Sequence, residues 1–559
     1  MSDALLRVEG LSVEFARPGQ APHTAVRELS FALAPGRAVA LVGESGSGKS
    51  VTARSLVGLA GEHARVSARV LEHAGRDLRN WKERQWRGLR GKDIGFVLQD
   101  ALVSLDPLRP VGREIEEALA AHGWGDRRSR RARVLELLEQ AGVPEPALRA
   151  RQRPDQLSGG LRQRALIASA LANSPGVLIA DEPTTALDAT VQAQVLAELQ
   201  AIKHRGGALL VISHDLALVS QLADEVLVLR HGEVVEQGPI AQVLRRPAHS
   251  YTRALLDAVP GVRRTGKTVV EPSSLGWGFP DKSSRASSAL QGEEIPPLLE
   301  AHNLRKVYRT PDEAPHIAVD NVSFVLQAGR TLGIVGESGS GKSSLARLVL
   351  GLAEPDAGEV RLDGRPWTGA GAARVPEAQR RPWRRTISAV YQDPLSSFDP
   401  RWNVARILGD ALDAVGLPRS AHPARITELL DQVRLAPSLA ARFPLQLSGG
   451  QRQRIAIARA IATEPRLIVL DEAVSALDVS VQAQVLDLLD DLQAQLGLAY
   501  LFISHDLGVI RQISHEVLVM RHGQVLESGP AEQVFERPQH AYTRELLASV
   551  PQLIALDIA

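Results

Sequence analysis

The eight residues Gly43-Glu44-Ser45-Gly46-Ser47-Gly48-Lys49-Ser50 recur unchanged as Gly336-Glu337-Ser338-Gly339-Ser340-Gly341-Lys342-Ser343. Gly, four residues, then Gly-Lys-Ser/Thr is the pattern of a phosphate-binding loop. Its glycines let the backbone curl until the N–H groups wrap a polyphosphate, the lysine reaches the terminal phosphates, and the hydroxyl ligates Mg²⁺. Each copy follows an apolar run, residues 38–42 and 332–335, that reads as a buried strand. Each is followed by a helical pattern, residues 51–59 from Val51 and 344–352 from Ser344.

Other landmarks repeat at nearly the same offset of about 290 residues. Leu157-Ser158-Gly159-Gly160 returns as Leu447-Ser448-Gly449-Gly450, Asp181-Glu182 as Asp471-Glu472, and Ser213-His214-Asp215 as Ser504-His505-Asp506. A period this long marks two whole domains, not a solenoid. The expected division is a first domain over 1–260, a tether over 261–297 rich in Ser, Gly, Pro and charge, and a second domain over 298–559. Each half alternates apolar strands with helices, as parallel α/β cores do. Residues 100–175 and 393–465 are mainly helical in pattern and read as a helical subdomain inserted in each core.

Composition sets the outer limits. The 559 residues carry 65 basic and 64 acidic side chains, a net charge of +1 that offers no global field for nucleic acid or anionic lipid. There is no cysteine, so disulfides, zinc-thiolate sites and iron–sulfur clusters are excluded. The chain lacks an apolar stretch of about 18 residues, and its start, Met1-Ser-Asp-Ala-Leu-Leu-Arg, lacks a signal-peptide pattern; a cytosolic protein is expected. The Arg-rich run 127–133 reads as a solvated helix face.

Two apolar strands end in adjacent carboxylates, Asp181-Glu182 and Asp471-Glu472. Strand alternation separates their tasks: the Asp holds the hydration shell of Mg²⁺, and the Glu orients and deprotonates the water that attacks the γ-phosphate. Ser158-Gly159-Gly160 and Ser448-Gly449-Gly450 stand at helix starts, where a hydroxyl and free N–H groups face an anion. Two phosphate sites in one half are redundant unless the second serves another nucleotide.

With these motifs the chain resembles the ATP-binding cassette ATPases, whose signature is the Leu-Ser-Gly-Gly-Gln stretch ending at Gln451. The resemblance covers both halves. It implies two tandem P-loop domains, each with a RecA-like α/β core, an antiparallel β subdomain and an inserted helical subdomain, using ATP and Mg²⁺. It further implies head-to-tail pairing, with Ser448–Gln451 completing the site of Lys49 and Ser158–Leu161 that of Lys342. Leu161 departs from the family's Gln, which removes a possible polar contact to the second nucleotide. By the same resemblance Gln99 and Gln392 touch Mg²⁺ or water, and Ser50, Asp181, Ser343 and Asp471 complete the metal sites. His214 and His505 contact the γ-phosphate, Asp188 and Asp478 lie between the cassettes, and Phe15 and Tyr308 stack on adenine. With Glu182 and Glu472 both present, both sites are expected to hydrolyse ATP.

Two further repeats narrow the branch: residues 99–107 with 392–400, and His249-Ser-Tyr-Thr-Arg-Ala-Leu-Leu with His540-Ala-Tyr-Thr-Arg-Glu-Leu-Leu. They are similar to the ATPase subunits of dipeptide, oligopeptide and nickel importers, and the second reads as an amphipathic helix packed on each core. This resemblance implies a peripheral protein on the cytoplasmic face of the inner membrane. Its partners would be two membrane permeases and an extracytoplasmic solute-binding protein, with one chain per transporter and no nucleic acid. The alternative is a soluble twin-cassette ATPase acting on ribosomes.

Overall fold

The computed structural model describes residues 4–16, 22–98, 104–184, 187–259, 297–309, 315–475 and 477–550. The sequence-predicted tether, apart from Pro297, and Gln99 lie outside these residues.

The strands of the first half are β1 (Leu6–Phe15), β2 (His23–Leu33), β3 (Ala38–Val42), β4 (Ala64–Ser67), β5 (Val70–His73), β6 (Arg76–Asp77), β7 (Ile94–Val97), β8 (Val177–Asp181), β9 (Ala208–Ile212), β10 (Glu225–Arg230) and β11 (Glu233–Pro239). They form two sheets. One is antiparallel, in the order β2-β1-β5-β6 with β4 also on β1. The other runs β11-β10-β3-β9-β8-β7, parallel except for β11 at its edge. Every residue of β3, β8 and β9 is buried, as expected of parallel strands covered on both faces.

The second half repeats this plan with β12 (Leu299–Tyr308), β13 (His316–Leu326), β14 (Thr331–Val335), β15 (Ala357–Leu362), β16 (Arg365–Gly369), β17 (Ile387–Val390), β18 (Leu467–Asp471), β19 (Ala499–Ile503), β20 (Glu516–Arg521) and β21 (Gln524–Pro530). Its antiparallel sheet is β13-β12-β15-β16 and its core sheet β17-β18-β19-β14-β20-β21. The core order is the same as in the first half.

Two apolar layers hold each half together. In the first, Leu6, Val8 and Leu11 of the antiparallel sheet pack with Val39, Leu41 and Ile179 on one face of the core sheet. On the other face, Leu178 and Val211 join Ile115, Leu119, Leu137 and Leu166 from the inserted helices. Those helices, Val111–Ala121, Arg127–Gln140 and Gly159–Ala170, fall between β7 and β8, where the sequence places the insertion. The Arg-rich run is the solvated start of the second of them, capped by Asp126 and anchored by Val134, Leu137 and Leu138.

The helices after the phosphate-binding loops differ from the sequence expectation. They span Lys49–Ser55 and Lys342–Val349, beginning at the lysine itself. Gly48 (φ 99°) and Gly341 (φ 102°) take left-handed conformations that turn the chain directly into the helix. The far ends close earlier, before the left-handed turns at Gly58 and Gly351.

In the core sheet the chain leaves β3 toward β7 at one edge and leaves the neighbouring β10 toward β11 at the other, so connections diverge beside the carboxyl end of β3. A crevice at such a divergence is where open α/β sheets bind ligands. The first loop, the Asp181-Glu182 pair and His214 all follow the carboxyl ends of β3, β8 and β9.

Candidate functional site

Each loop is built so that only glycine fits at its ends. A Cβ on Gly43 would lie 2.2 Å from the Leu229 carbonyl oxygen, and one on Gly48 2.4 Å from that of Ala25. In the second loop the corresponding distances are 2.2 Å from Met520 for Gly336 and 2.0 Å from Ala318 for Gly341. The middle glycines, Gly46 and Gly339, have nothing within 4 Å and leave that side of the loop open. Lys49 Nζ donates to the carbonyls of Gly43 and Glu44, both at 2.7 Å, and Lys342 Nζ to those of Gly336 (2.7 Å) and Glu337 (2.8 Å). Burial pushes both ammonium pKa values down; the neighbouring carboxylates oppose it, Glu182 most strongly for Lys49 and Glu472 for Lys342.

The loop hydroxyl meets the first carboxylate. Ser50 Oγ donates to Asp181 Oδ1 at 3.0 Å, and Ser343 Oγ to Asp471 Oδ1 at 3.3 Å. Asp181 Oδ2 is buried without a hydrogen-bond partner, an acceptor that suits a cation. Burial raises the pKa of both aspartates, which disfavours their charge until a cation is near. Among the described residues no cluster of three or more His, Asp or Glu side chains could cage a metal.

The second carboxylate meets the histidine. His214 Nδ1 lies 3.4 Å from Glu182 Oε1, and His505 Nδ1 3.2 Å from Glu472 Oε2. Main-chain bonds from Glu182 N to Ile212 O (2.8 Å) and from Glu472 N to Ile503 O (2.9 Å) tie each glutamate to the strand that delivers its histidine. Both glutamates hold left-handed backbones, φ 49° and 51°, uncommon for a residue with a Cβ. Burial acts to lower the pKa of each histidine, but the hydrogen bond and charge of its glutamate outweigh it and raise the value above 6.5. The Glu472 carboxyl is conversely held below its usual 4.5: burial opposes this, and the bond and charge of His505 overcome it.

The two halves meet through these same loops. Asp188 caps the helix Ala189–His204 with Oδ1 and accepts the Ser338 N–H of the opposite loop at 3.0 Å with Oδ2. Thr190 Oγ1 donates to Glu337 Oε1 at 2.9 Å. In the reciprocal contact Ser480 Oγ donates to Glu44 Oε1 at 2.7 Å, beside Asp478, which caps the helix Val479–Leu496. A cavity of about 180 Å³ between the halves is lined by His214 and Asp215 from one and His505 and Asp506 from the other. Asp188 and Asp478 thus stand between the halves. The sequence had singled them out, but not Thr190 or Ser480, and it read Glu44 and Glu337 as nucleotide-loop residues with no contact to the other half. The signal for Thr190 and Ser480 was the repeat of a hydroxyl residue two positions after each capping Asp.

Each signature serine caps its own helix, Ser158 accepting from Leu161 N and Ser448 from Gln451 N. The Gln451 side chain returns to the Ser448 N–H at 3.1 Å, closing a capping box. Leu161 has no such group and packs instead against the core of the inserted helices. The difference from Gln therefore falls first on the helix start. Gly160 and Gly450 lie against Val191 and Val481, where a Cβ would come within 2.8 and 2.4 Å, so each signature is keyed to the helix that Asp188 or Asp478 caps.

The aromatic residues divide. Phe15 packs against the core beneath its sheet, whereas Tyr308 is 36% exposed with Lys306 Nζ 5.9 Å from its ring centre. Gln392 is exposed just beyond β17.

A family model described as ABC transporter matches residues 26–185 and 319–475, once in each half and across both loops and both Asp-Glu pairs. This chain belongs to the ABC transporter family. As an ABC ATPase it binds ATP and hydrolyses it to drive transport, and its fold is the one the motifs implied. A second model, the oligopeptide/dipeptide transporter C-terminal region, matches residues 235–274 and 526–557 of this ABC ATPase. Its relatives include the glutathione import ATP-binding protein GsiA of Salmonella paratyphi A, 41% identical over 98% of this chain and 89% of that one. The peptidoglycan transport ATP-binding protein YejF of Agrobacterium fabrum is 44% identical over 99% and 97%. The oligopeptide transport ATP-binding protein OppD of Mycobacterium bovis is 41% identical over 98% of each. These are transport proteins, and the ribosome-acting alternative has no support among them. Among the described residues no helix is long and apolar enough to cross a membrane.

Proposed function

We propose that this ABC ATPase powers the import of peptides or peptide-like solutes. The observation that carries this reading is the extension after each cassette, which matches the oligopeptide/dipeptide transporter C-terminal region twice. The names of the relatives, covering glutathione, peptidoglycan and oligopeptide transport, point the same way.

In this reading residues 1–260 and 298–559 are the two cassettes, joined by the tether, and one chain serves one transporter. The loops with Lys49 and Lys342 hold the phosphates. Ser50, Asp181 and Gln99, and Ser343, Asp471 and Gln392, would hold Mg²⁺, which would neutralise phosphate charge as the γ-phosphate leaves. Glu182 and Glu472 take the proton from the attacking water, and His214 and His505, each beside its glutamate, steady the γ-phosphate. The signature of each half closes on the nucleotide of the other. Closure and release move the inserted helices, which act on two permeases at the cytoplasmic face of the inner membrane, while an extracytoplasmic binding protein delivers the solute.

Affinity purification of the tagged chain from gently solubilised membranes of its host tests this. The expected result is one copy with two integral permeases and a solute-binding protein loaded with a peptide-like molecule. Two copies per complex overturn the stoichiometry, and a binding protein carrying a sugar or metal ion alone overturns the solute class.

A further inference from the structure

The repeated His-x-Tyr-Thr-Arg segment does more than pad the core. Its helix, Ser250–Asp257 in the first half and Ala541–Ala548 in the second, buries Tyr251 and Tyr542. Each tyrosine hydroxyl then reaches the phosphate-binding loop: Tyr251 Oη accepts the Glu44 N–H at 3.0 Å, and Tyr542 Oη accepts the Glu337 N–H at 3.3 Å. These are the glutamates whose side chains cross to Ser480 and Thr190 of the opposite half.

Both tyrosines are fixed from behind. Glu236 accepts the N–H groups of Ala248 and His249, and His249 Nδ1 accepts that of Tyr251 at 3.1 Å. Glu527, Gln539, His540 and Tyr542 repeat the arrangement. Arg230 lies over the Tyr251 ring at 5.0 Å and Arg521 over that of Tyr542 at 4.4 Å. Burial pushes the Tyr251 phenol up to about 12, so it stays neutral. The helix Ser250–Asp257 also lies against the helix Val479–Leu496 of the other half, with Leu255, Glu44 and Ser480 around one small cavity.

We infer that Tyr251 and Tyr542 are positioning residues, which hold the main chain of Glu44 and Glu337 so that each carboxylate meets the hydroxyl of the opposing half. The extension thereby braces each nucleotide loop against the other cassette. This rests on the reading that ATP binds at the Lys49 and Lys342 loops.

The test is equilibrium binding of a fluorescent ATP analogue to the full-length chain carrying Lys342→Ala, so that binding reports the first loop. Tyr251→Phe keeps the ring and its arginine contact and removes only the hydroxyl. It should weaken binding roughly 3- to 10-fold, the scale of one hydrogen bond, with the melting temperature lowered by no more than about 4 °C. Ser480→Ala should do the same, and the double variant should be no weaker than either alone, because both act through Glu44. Multiplied effects, or unchanged affinity in Tyr251→Phe, would overturn the inference. Adding Lys49→Ala separates the premise: if binding persists there, the assignment of the site fails, and if it is lost while Tyr251→Phe binds normally, only the role of the tyrosine fails.

Discussion

His505 Nδ1 and Glu472 Oε2 stand 3.2 Å apart, an ion pair at the end of the strand that feeds the second nucleotide site. A histidine raised above 6.5 stabilises the fold fully below that value and loses the contribution as pH rises through its folded pKa. A glutamate held below 4.5 contributes above that value and loses it as pH falls through its folded pKa. The stability difference between the natural chain and Glu472→Gln should therefore be greatest between pH 4.5 and 6.5 and shrink at higher pH. An NMR titration of His505 should give a midpoint above 6.5 that falls in Glu472→Gln; a midpoint at or below 6.5 contradicts the pairing.

Removing the proposed base at either site should leave binding and slow chemistry. Glu182→Gln or Glu472→Gln is expected to retain ATP while turnover drops by about 10² or more. Normal turnover in one variant would show that its site does not hydrolyse.

The loop glycines should resist replacement for steric reasons alone. Gly341→Ala places a Cβ 2.0 Å from the Ala318 carbonyl in a left-handed backbone, and should cost at least about 2 kcal/mol in denaturant unfolding. Gly339→Ala, at φ 81° with open space around it, carries only the backbone strain and should cost about half as much.

The capping box at Gln451 predicts an unequal response in the two halves. Gln451→Leu removes the bond to the Ser448 N–H and should destabilise the second half by about 0.5–1 kcal/mol. Leu161→Ala instead loses apolar packing against the inserted helices, by about 1 kcal/mol for a half-buried side chain. Calorimetry of the two variants distinguishes these origins by the larger heat-capacity change expected of the second.

Much of this was legible beforehand because loops, carboxylates and histidines are local patterns tied to strand ends. Strands β3 and β14 were readable as unbroken apolar runs, and Asp181 and Glu182 as the end of another. Head-to-tail pairing was expected from the resemblance; what stayed hidden is which individual side chains meet across it. Nothing near Glu44 in sequence announces Ser480, since that contact exists only when two sheets are set head to tail. Tyr251 was read as packing, which it is, but its hydroxyl gains its partner from a loop about 200 residues away. The helix starts were misplaced by two residues because a left-handed glycine at an N-cap leaves no trace in hydrophobic periodicity.

The left-handed glutamates carry one more implication. At φ 49° and 51° an ordinary side chain costs about 1 kcal/mol, which glycine would avoid and asparagine would lessen. At Glu472 the hydrogen bond and charge of His505 oppose that strain, so the conformation and the pair stand or fall together. Gly or Asn at position 472 should therefore change heat resistance little, since the relieved backbone and the lost pair oppose each other.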